Sequence, residues 1–209
     1  PGVPPNPTPA RVLNLSLGSE SRCSTAYRNA MNEIAATGAV VVASAGNAAG
    51  HAVGSPASCD GAIGVAGLRH VGTKVGFSSL GPEVALAAPG GNCVNVESGS
   101  ACLYPIVTTS NDGATSPGAS TYTDSFRITV GTSFSAPLVA GTVALMLDAR
   151  PALTTAQVRS FLQGTTRPFP QSATAVAACT APRFDAAGKP VDQLECRCTT
   201  ATCGAGMLD

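Results

Sequence analysis

Two continuous apolar runs, separated by a segment with helical spacing, restrict the fold of the N-terminal part of this chain. Residues 11–17 are rich in Val and Leu, and residues 39–43 read Ala-Val-Val-Val-Ala. Between them, apolar residues recur at helical spacing over residues 24–36, before a helix stop at Gly38. This order predicts a βαβ unit with parallel strands. Continuous rather than alternating apolarity is typical of a sheet that is covered on both faces.

The rest of the chain extends the same α/β pattern. Later apolar runs predict further strands at 62–66, 84–88, 106–109 and 126–130. The longest apolar segment predicts a helix at 133–149, and a capping box at Thr154 opens another helix that ends near Leu162. Residues 111–123 read as a polar loop. We therefore predict an α/β fold with a mainly parallel central sheet flanked by helices, without an internal domain boundary.

Composition excludes several classes of partner. The net charge is zero, charged residues make up 11% of the chain, and no basic cluster occurs, which argues against nucleic acid or an anionic membrane surface. The sequence has no run of 18 consecutive apolar residues, so it predicts no membrane span. The proline-rich first nine residues lack the charged start and apolar core of a signal peptide. We expect that the chain never carried one or that it has been cut.

The cysteines indicate an oxidising compartment. Eight cysteines in a chain so poor in charge favour disulfides and a secreted, extracellular protein. A zinc site is the alternative, but no C-x-x-C pair occurs. Cys93 and Cys102 flank a polar excursion that a disulfide would close. The last four cysteines allow three pairings, of which loop closure favours the one that joins nearest partners: Cys179–Cys196 and Cys198–Cys203.

One serine lies where a predicted strand gives way to the long helix. In the sequence Gly-Thr-Ser-Phe-Ser-Ala-Pro at 131–137, Ser133 would sit at the helix N-terminus, where unpaired N–H groups favour a developing negative charge. Ser133 is therefore a candidate nucleophile, although a serine at this point is also a common helix cap. Ser135 replaces the second glycine of a G-x-S-x-G motif, which argues against an α/β-hydrolase elbow.

An asparagine follows the second predicted strand. Asn47 ends the sequence Ser-Ala-Gly-Asn at 44–47, so its amide would project at the carboxyl edge of the sheet, where ligands bind in parallel sheets. An amide at that edge can donate a hydrogen bond to an oxyanion. The alternative is a turn in which the asparagine side chain bonds its own backbone.

Together these segments resemble the subtilisin-like serine proteases, the subtilase family. Residues 131–141, Gly-Thr-Ser-Phe-Ser-Ala-Pro-Leu-Val-Ala-Gly, are similar to the block around that family's catalytic serine, and residues 44–47 are similar to its oxyanion block. Residues 15–18 resemble its substrate-binding strand, and residues 88–90 and 204–209 also match. The resemblance runs over nearly the whole chain. It implies a three-layer subtilisin-like fold and the activity of a secreted bacterial endopeptidase.

The resemblance also assigns roles to residues. Ser133 would be the nucleophile, and its backbone N–H would form an oxyanion hole with the side chain of Asn47. A glycine floor would leave room for a large apolar or aromatic side chain in the pocket for the residue before the scissile bond. The walls and floor of that pocket would be Leu15, Ser16, Leu17, Gly18, Ser44, Ala45, Gly46 and Gly54.

Two blocks of the family are missing. Neither the D-[ST]-G block of its aspartate nor the H-G-T-H-V-A-G block of its histidine occurs, and we interpret His51 and His70 as ordinary loop residues. Since a serine without a base is a poor nucleophile, we expect residues 1–209 to be the C-terminal portion of a single catalytic domain. An N-terminal fragment, held non-covalently after a cut, would then supply Asp and His. The alternatives are a truncated chain and a non-catalytic peptide-binding or inhibitory module.

The resemblance bears on other partners, on metal and on one disulfide. The expected partners are this fragment, a protein or peptide substrate and the propeptide of a zymogen. The family's weaker cation site keeps Glu83 but has Ala85 at its second acidic position, so we expect no metal ligands in this chain. Calcium would bind only in the assembled enzyme. Related secreted members have a bridge at positions matching Cys23 and Cys59, which a βαβ unit would bring to one end of the sheet.

Overall fold

The computed structural model describes residue 2 and residues 4–92, 104–124, 130–171 and 176–209 of the 209-residue chain. Within these residues all six strands come before the longest helix. They are β1 (Val12–Leu15), α1 (Thr25–Ala36), β2 (Val40–Ser44), β3 (Ala62–Leu68), β4 (Val84–Pro89), β5 (Thr108–Asn111), β6 (Ser120–Thr123), α2 (Thr132–Ala149) and α3 (Thr155–Gly164).

A parallel sheet forms the centre of the fold. Its strands lie in the order β1-β2-β3-β4, and each neighbouring pair is parallel. The register places Leu15 opposite Ala43, and Ser44 opposite Val65. All four strands therefore end at one edge, where the segments after β1 and β2 lie side by side. The predicted βαβ unit and the α/β class are confirmed.

Each face of the sheet is covered by its own apolar core. Val41 and Ala43 of β2 pack on the side of Met31 from α1, together with the C-terminal cysteines. Val40 and Val42 point to the opposite side and pack against α2 and α3. β2 is buried along its whole length, which is the reason for its continuous apolar sequence. The result is the three-layer arrangement that we predicted.

The hairpin β5–β6 differs from the prediction. Residues 111–123 were expected to form a polar loop, but β6 lies within them and pairs antiparallel with β5. The side chain of Asn111 organises the connection, since its Oδ1 accepts from the N–H groups of Gly113 and Gly118 and its Nδ2 donates to the Gly118 carbonyl. The strand predicted at 106–109 lies at Thr108–Asn111, and the one at 126–130 lies, except for Val130, outside the described residues.

Helix α2 is long and apolar enough to cross a membrane by length and composition alone. It packs against all four strands of the sheet, and core helices have the same length and apolarity. Its buried residues include Ala136, Val139 and Val143. The helix is thus accounted for as a core element.

The described cysteines form the disulfides that we expected: Cys23–Cys59, Cys179–Cys196 and Cys198–Cys203. The sulfur atoms of Cys179, Cys198 and Cys203 lie within 4.8 Å of one another. Because each belongs to a disulfide, these three sulfurs offer no thiolate to zinc. The predicted Cys93–Cys102 bridge lies outside the described residues.

The loops that these bridges close differ in length, so we expect the bridges to contribute differently to the free energy of unfolding. Cys23–Cys59 spans 36 residues of sequence and Cys198–Cys203 spans 5. In the chain-entropy model, replacing the first pair by alanine should lower the free energy of unfolding by roughly 2 kcal/mol more than replacing the second pair. Denaturant titration of the two double variants measures the difference. Equal losses would contradict an entropic origin.

Candidate active site

Ser133 lies in the first turn of α2, at the carboxyl edge of the sheet. Gly131 precedes the helix with a φ of 136°, and its N–H donates to the carbonyl of Gly90, just after β4. The first N–H groups of a helix have no acceptor within the helix. The backbone N–H of Ser133 is such a group, and it points away from the helix together with the positive end of the helix dipole.

The hydroxyl of Ser133 contacts the segment that follows β1. Its Oγ donates to the carbonyl oxygen of Ser16 at 3.4 Å, and the Oγ of Ser16 donates to the carbonyl oxygen of Ser133 at 2.7 Å. The reciprocal pair joins residues 117 apart in sequence. Ser16, which was predicted as a pocket wall, thus fixes the position of the serine backbone.

No histidine hydrogen-bonds Ser133 within the part of the chain that the structure describes. The Nε2 atom of His51 lies 2.8 Å from Oδ1 of Asp192, and the ring of His70 stacks on Tyr104 with a centroid distance of 3.7 Å. Both histidines therefore have partners away from the serine. This agrees with their interpretation as loop residues.

The side chain of Asn47 is oriented by Thr132. Its Oδ1 accepts hydrogen bonds from the N–H and the Oγ1 of Thr132, both at 2.9 Å. With the oxygen engaged, the Nδ2 group carries the free donors of this exposed amide. The alternative was a turn in which the Asn47 side chain bonds its own backbone. Oδ1 instead accepts from Thr132, which is 85 residues away in sequence.

A glycine at position 131 allows the Asn47 side chain to lie close to the start of α2. A Cβ atom on Gly131 would lie 3.2 Å from Nδ2 of Asn47, so a side chain there would press on the amide. Thr132 is fully buried, and its Oγ1 also accepts from the N–H of Gly46. Thr132 was not among the predicted site residues. Its only sequence signal was its position between Gly131 and Ser133.

A pocket of about 220 Å³ opens beside Ser133 and Asn47. Ser44 holds its two walls together, because its Oγ lies 3.4 Å from the carbonyl oxygens of both Leu15 and Leu17. The predicted residues that line the pocket are Leu17, Gly18, Ser44, Ala45, Gly46, Asn47, Gly54 and Ser133. Leu15 packs against the core instead, and Ser16 binds Ser133. The lining residues that were missed are Ser19, Glu20, Ala48, Ala52, Ser55, Ser79 and Thr132.

Gly54 lines the pocket, and its lack of a side chain also allows a close backbone contact. A Cβ atom there would lie 1.7 Å from the carbonyl oxygen of Ser19 and 3.1 Å from the Cα of Glu20. The backbone of Ser19 runs against Gly54 because Ser19 pairs with Ser55 in an antiparallel bridge. A side chain at 54 would therefore displace the pocket wall before it could fill the pocket floor.

The residues at the expected weaker cation site do not fit calcium. The guanidinium of Arg159 donates to the carbonyl oxygen of Ala62 and borders the same pocket as Glu83. Ala85 offers only its backbone oxygen, which accepts from Nε2 of Gln163 at 3.2 Å. A hard cation needs several oxygen ligands, and here Glu83 shares its pocket with a positive charge while the Ala85 oxygen is already bonded to Gln163.

Comparison with known proteins identifies relatives of this chain. The model of the subtilase family matches residues 4–191. An extracellular protease from Xanthomonas campestris pv. campestris is 39% identical over 171 residues, which cover 81% of this chain and 27% of that protein. Subtilisin DY from Bacillus licheniformis is 37% identical over 158 residues, which cover 74% of this chain and 48% of that protein.

A solved structure has the same fold. A protease from Pseudoalteromonas arctica matches with a TM-score of 0.76 and 33% identity, over 100% of this chain and 51% of that chain. This chain thus spans about half, or less, of the length of these relatives.

The contact at Gly54 predicts the effect of a substitution. Gly54→Ala should destabilise the protein and distort the pocket, because its Cβ would overlap the backbone of Ser19. Thermal melting should show a lower midpoint than for Gly141→Ala, a matched control whose Cβ would meet nothing within 4 Å. A variant with an unchanged midpoint and a smaller pocket would restore the original expectation.

Proposed function

Because this chain belongs to the subtilase family, we propose that it is the nucleophile-bearing part of a serine endopeptidase. The observation that carries the proposal is the pair of donors beside one serine. The N–H of Ser133 lies at the start of α2, and the amide of Asn47 is held next to it by Thr132. Donors aimed at one point are what a peptide carbonyl needs when its oxygen becomes negative.

The proposed chemistry is acyl transfer. The Oγ of Ser133 attacks the peptide carbonyl carbon, and its proton passes to a histidine base. The carbonyl oxygen becomes an oxyanion that accepts hydrogen bonds from the Ser133 N–H and from Nδ2 of Asn47. The C–N bond then breaks as the base returns the proton to the leaving amine, which leaves an ester on Ser133. Water, deprotonated by the same base, hydrolyses that ester.

We propose that the base and its aspartate come from an N-terminal part of the same protease. Two surfaces support a partner of this kind. β1 lies at the edge of the described sheet. On α2, Leu138 and Leu145 are 44% and 73% exposed. Exposed apolar side chains beside an open strand edge are suited to packing against further helices and strands.

We propose that the protein acts outside the cell on protein or peptide substrates. Two relatives carry the names extracellular protease and extracellular basic protease, and the three described disulfides suit an oxidising environment. A propeptide would keep the enzyme inactive until it is processed. Any calcium would bind through residues outside this chain.

A peptide-binding module without catalysis is the rival function, since no described histidine contacts Ser133. The deciding experiment treats the full-length protein with a fluorophosphonate, which reacts with activated serines, and maps the adduct by mass spectrometry. Labelling of Ser133, and none in the Ser133→Ala variant, supports the protease. Peptide binding without labelling supports the rival.

Asn47 should contribute to turnover more than to binding. In the full-length enzyme, Asn47→Ala should lower kcat by roughly 100- to 1,000-fold with little change in KM, a range known for the corresponding donor of subtilisin rather than derived from this structure. Steady-state kinetics on a peptide substrate measure both constants. An unchanged kcat would mean that the amide only shapes its turn.

Thr132 should act through Asn47. Thr132→Val keeps the shape of the side chain but removes the hydroxyl that donates to Oδ1 of Asn47, while the backbone N–H still holds the amide. The same hydroxyl accepts from the N–H of Gly46, so the variant loses two hydrogen bonds. We expect kcat to fall by at least about 10-fold, which corresponds to about 1.4 kcal/mol. Thr142→Val, whose hydroxyl bonds only within α2, is the control and should leave kcat unchanged.

A further inference from the structure

Lys74 is a fully buried lysine between β3 and β4. It is among the largest side chains that are completely removed from solvent. Its Nζ donates to the carbonyl oxygens of Val75, Gly76 and Ser78 at 3.0, 3.0 and 2.9 Å. Three acceptors need three N–H donors, which only the ammonium form supplies. The backbone of residues 75–78 thus wraps around one positive charge.

This arrangement is costly and therefore calls for an explanation. Burial lowers the pKa of Lys74 to about 7, because removal from water penalises the charged form. No carboxylate forms an ion pair with Lys74 among the residues that the structure describes. The three carbonyl oxygens are the partners that offset the cost of burial. An apolar side chain would fill this space without that cost, but all three carbonyls would lose the ammonium donor. The carbonyls of Val75 and Ser78 would then keep only their bonds from the N–H groups of Ser78 and Gly50.

The segment that Lys74 organises supports the turn that bears Asn47. The N–H of Ala49 donates to the carbonyl of Phe77, and the N–H of Gly50 donates to the carbonyl of Ser78, both at 2.9 Å. On the near side, the N–H of Ser79 donates to the carbonyl of Gly46. The Ser78 oxygen therefore accepts from both Lys74 and Gly50.

The turn itself is held under strain. Ala49 has a φ of 46°, in the left-handed region that residues with a Cβ rarely adopt. Such a conformation persists only where the surroundings impose it. The hydrogen bond from Ala49 to Phe77 is part of that constraint, and Phe77 lies between two of the residues that Lys74 binds.

We propose that Lys74 is a positioning residue for the oxyanion hole: its ammonium group shapes residues 75–79, and these hold the 46–50 turn so that the amide of Asn47 faces the substrate carbonyl. The inference rests on the proposed function and extends it. Lys74 does not contact Asn47 or the pocket, so it acts only through the two backbone segments.

The first test uses the full-length enzyme with Lys74→Met, whose unbranched side chain is one atom shorter and has no donor. We expect kcat per titrated active site to fall by about 10- to 100-fold, since small displacements of a catalytic group have effects of this size. KM should change by less than about threefold. Lys74→Gln keeps two N–H donors for the carbonyl groups. Its kcat should lie between those of Lys74→Met and the wild type.

Two control variants separate positioning from stability and from charge. Val158→Ala removes buried apolar contacts between α3 and the sheet, so it should lower the melting temperature without changing kcat. Lys189→Met removes an exposed lysine and should change neither. An unchanged kcat in both Lys74 variants would overturn the proposal.

A double-mutant cycle tests whether Lys74 acts through Asn47. In an Asn47→Ala background, Lys74→Met should lower kcat by less than about threefold, because the group that it positions is already absent. Equal losses in the two backgrounds would overturn the proposal.

Hydrogen exchange keeps this test separate from the test of the proposed function. In Lys74→Met and Lys74→Gln, the amides of Ala49 and Gly50 should exchange at least 10-fold faster, while the amides of Val42 and Val65 in the sheet keep their rates. If the wild-type protein has no peptidase activity, the proposed function fails, and exchange alone decides whether Lys74 supports the turn. Unchanged exchange at Ala49 and Gly50 would refute the role of Lys74.

Discussion

The hydrogen bonds between Thr132 and Asn47 join two loops on which the whole site depends. One loop follows β2 and the other opens α2. Both lie at the edge where the parallel strands end, because Gly131 at the start of α2 is bonded to Gly90, just after β4. Thr132 holds Oδ1 of Asn47 with two donors. This leaves the amide nitrogen, and not the oxygen, for a ligand. The fold thus determines the electrostatic sign of the site.

The scarcity of large side chains follows from the same constraint. A Cβ on Gly131 would press on the Asn47 amide, and one on Gly54 would overlap the Ser19 backbone. A Cβ on Gly46 would lie 3.0 Å from Oγ of Ser79. Backbone segments therefore meet directly around the pocket. The 23 glycines and the low charge of the chain suit a site that is built from main-chain contacts.

The sequence predicted what depends on local periodicity and left out what depends on long-range contacts. α1 could be placed from the helical spacing of its apolar residues. β2 could be placed because burial on both faces of the sheet requires an apolar side chain at nearly every position. β6 was missed, since its polar residues carry no apolar alternation. Thr132 gave no signal beyond its place next to Ser133, because its partner Asn47 lies far away in sequence. Lys74 gave none, because its role comes from a loop wrapped around its ammonium group.

The proposed reaction needs donors for the oxyanion and a base for the serine proton, and this chain offers candidates mainly for the donors. The two proposed oxyanion donors are held by the start of α2 and by the bonds from Thr132 to Asn47, so under the proposed function they would need little reorganisation when charge develops. Among the residues that the structure describes, the acceptor for the Ser133 proton is the carbonyl of Ser16, at 3.4 Å, near the outer limit of a hydrogen bond. So long a contact is weak, and a histidine that approached Ser133 would displace it at little cost. Under the proposed function, a base from the rest of the protease would therefore complete the site without a movement of Ser133 or of the proposed oxyanion donors.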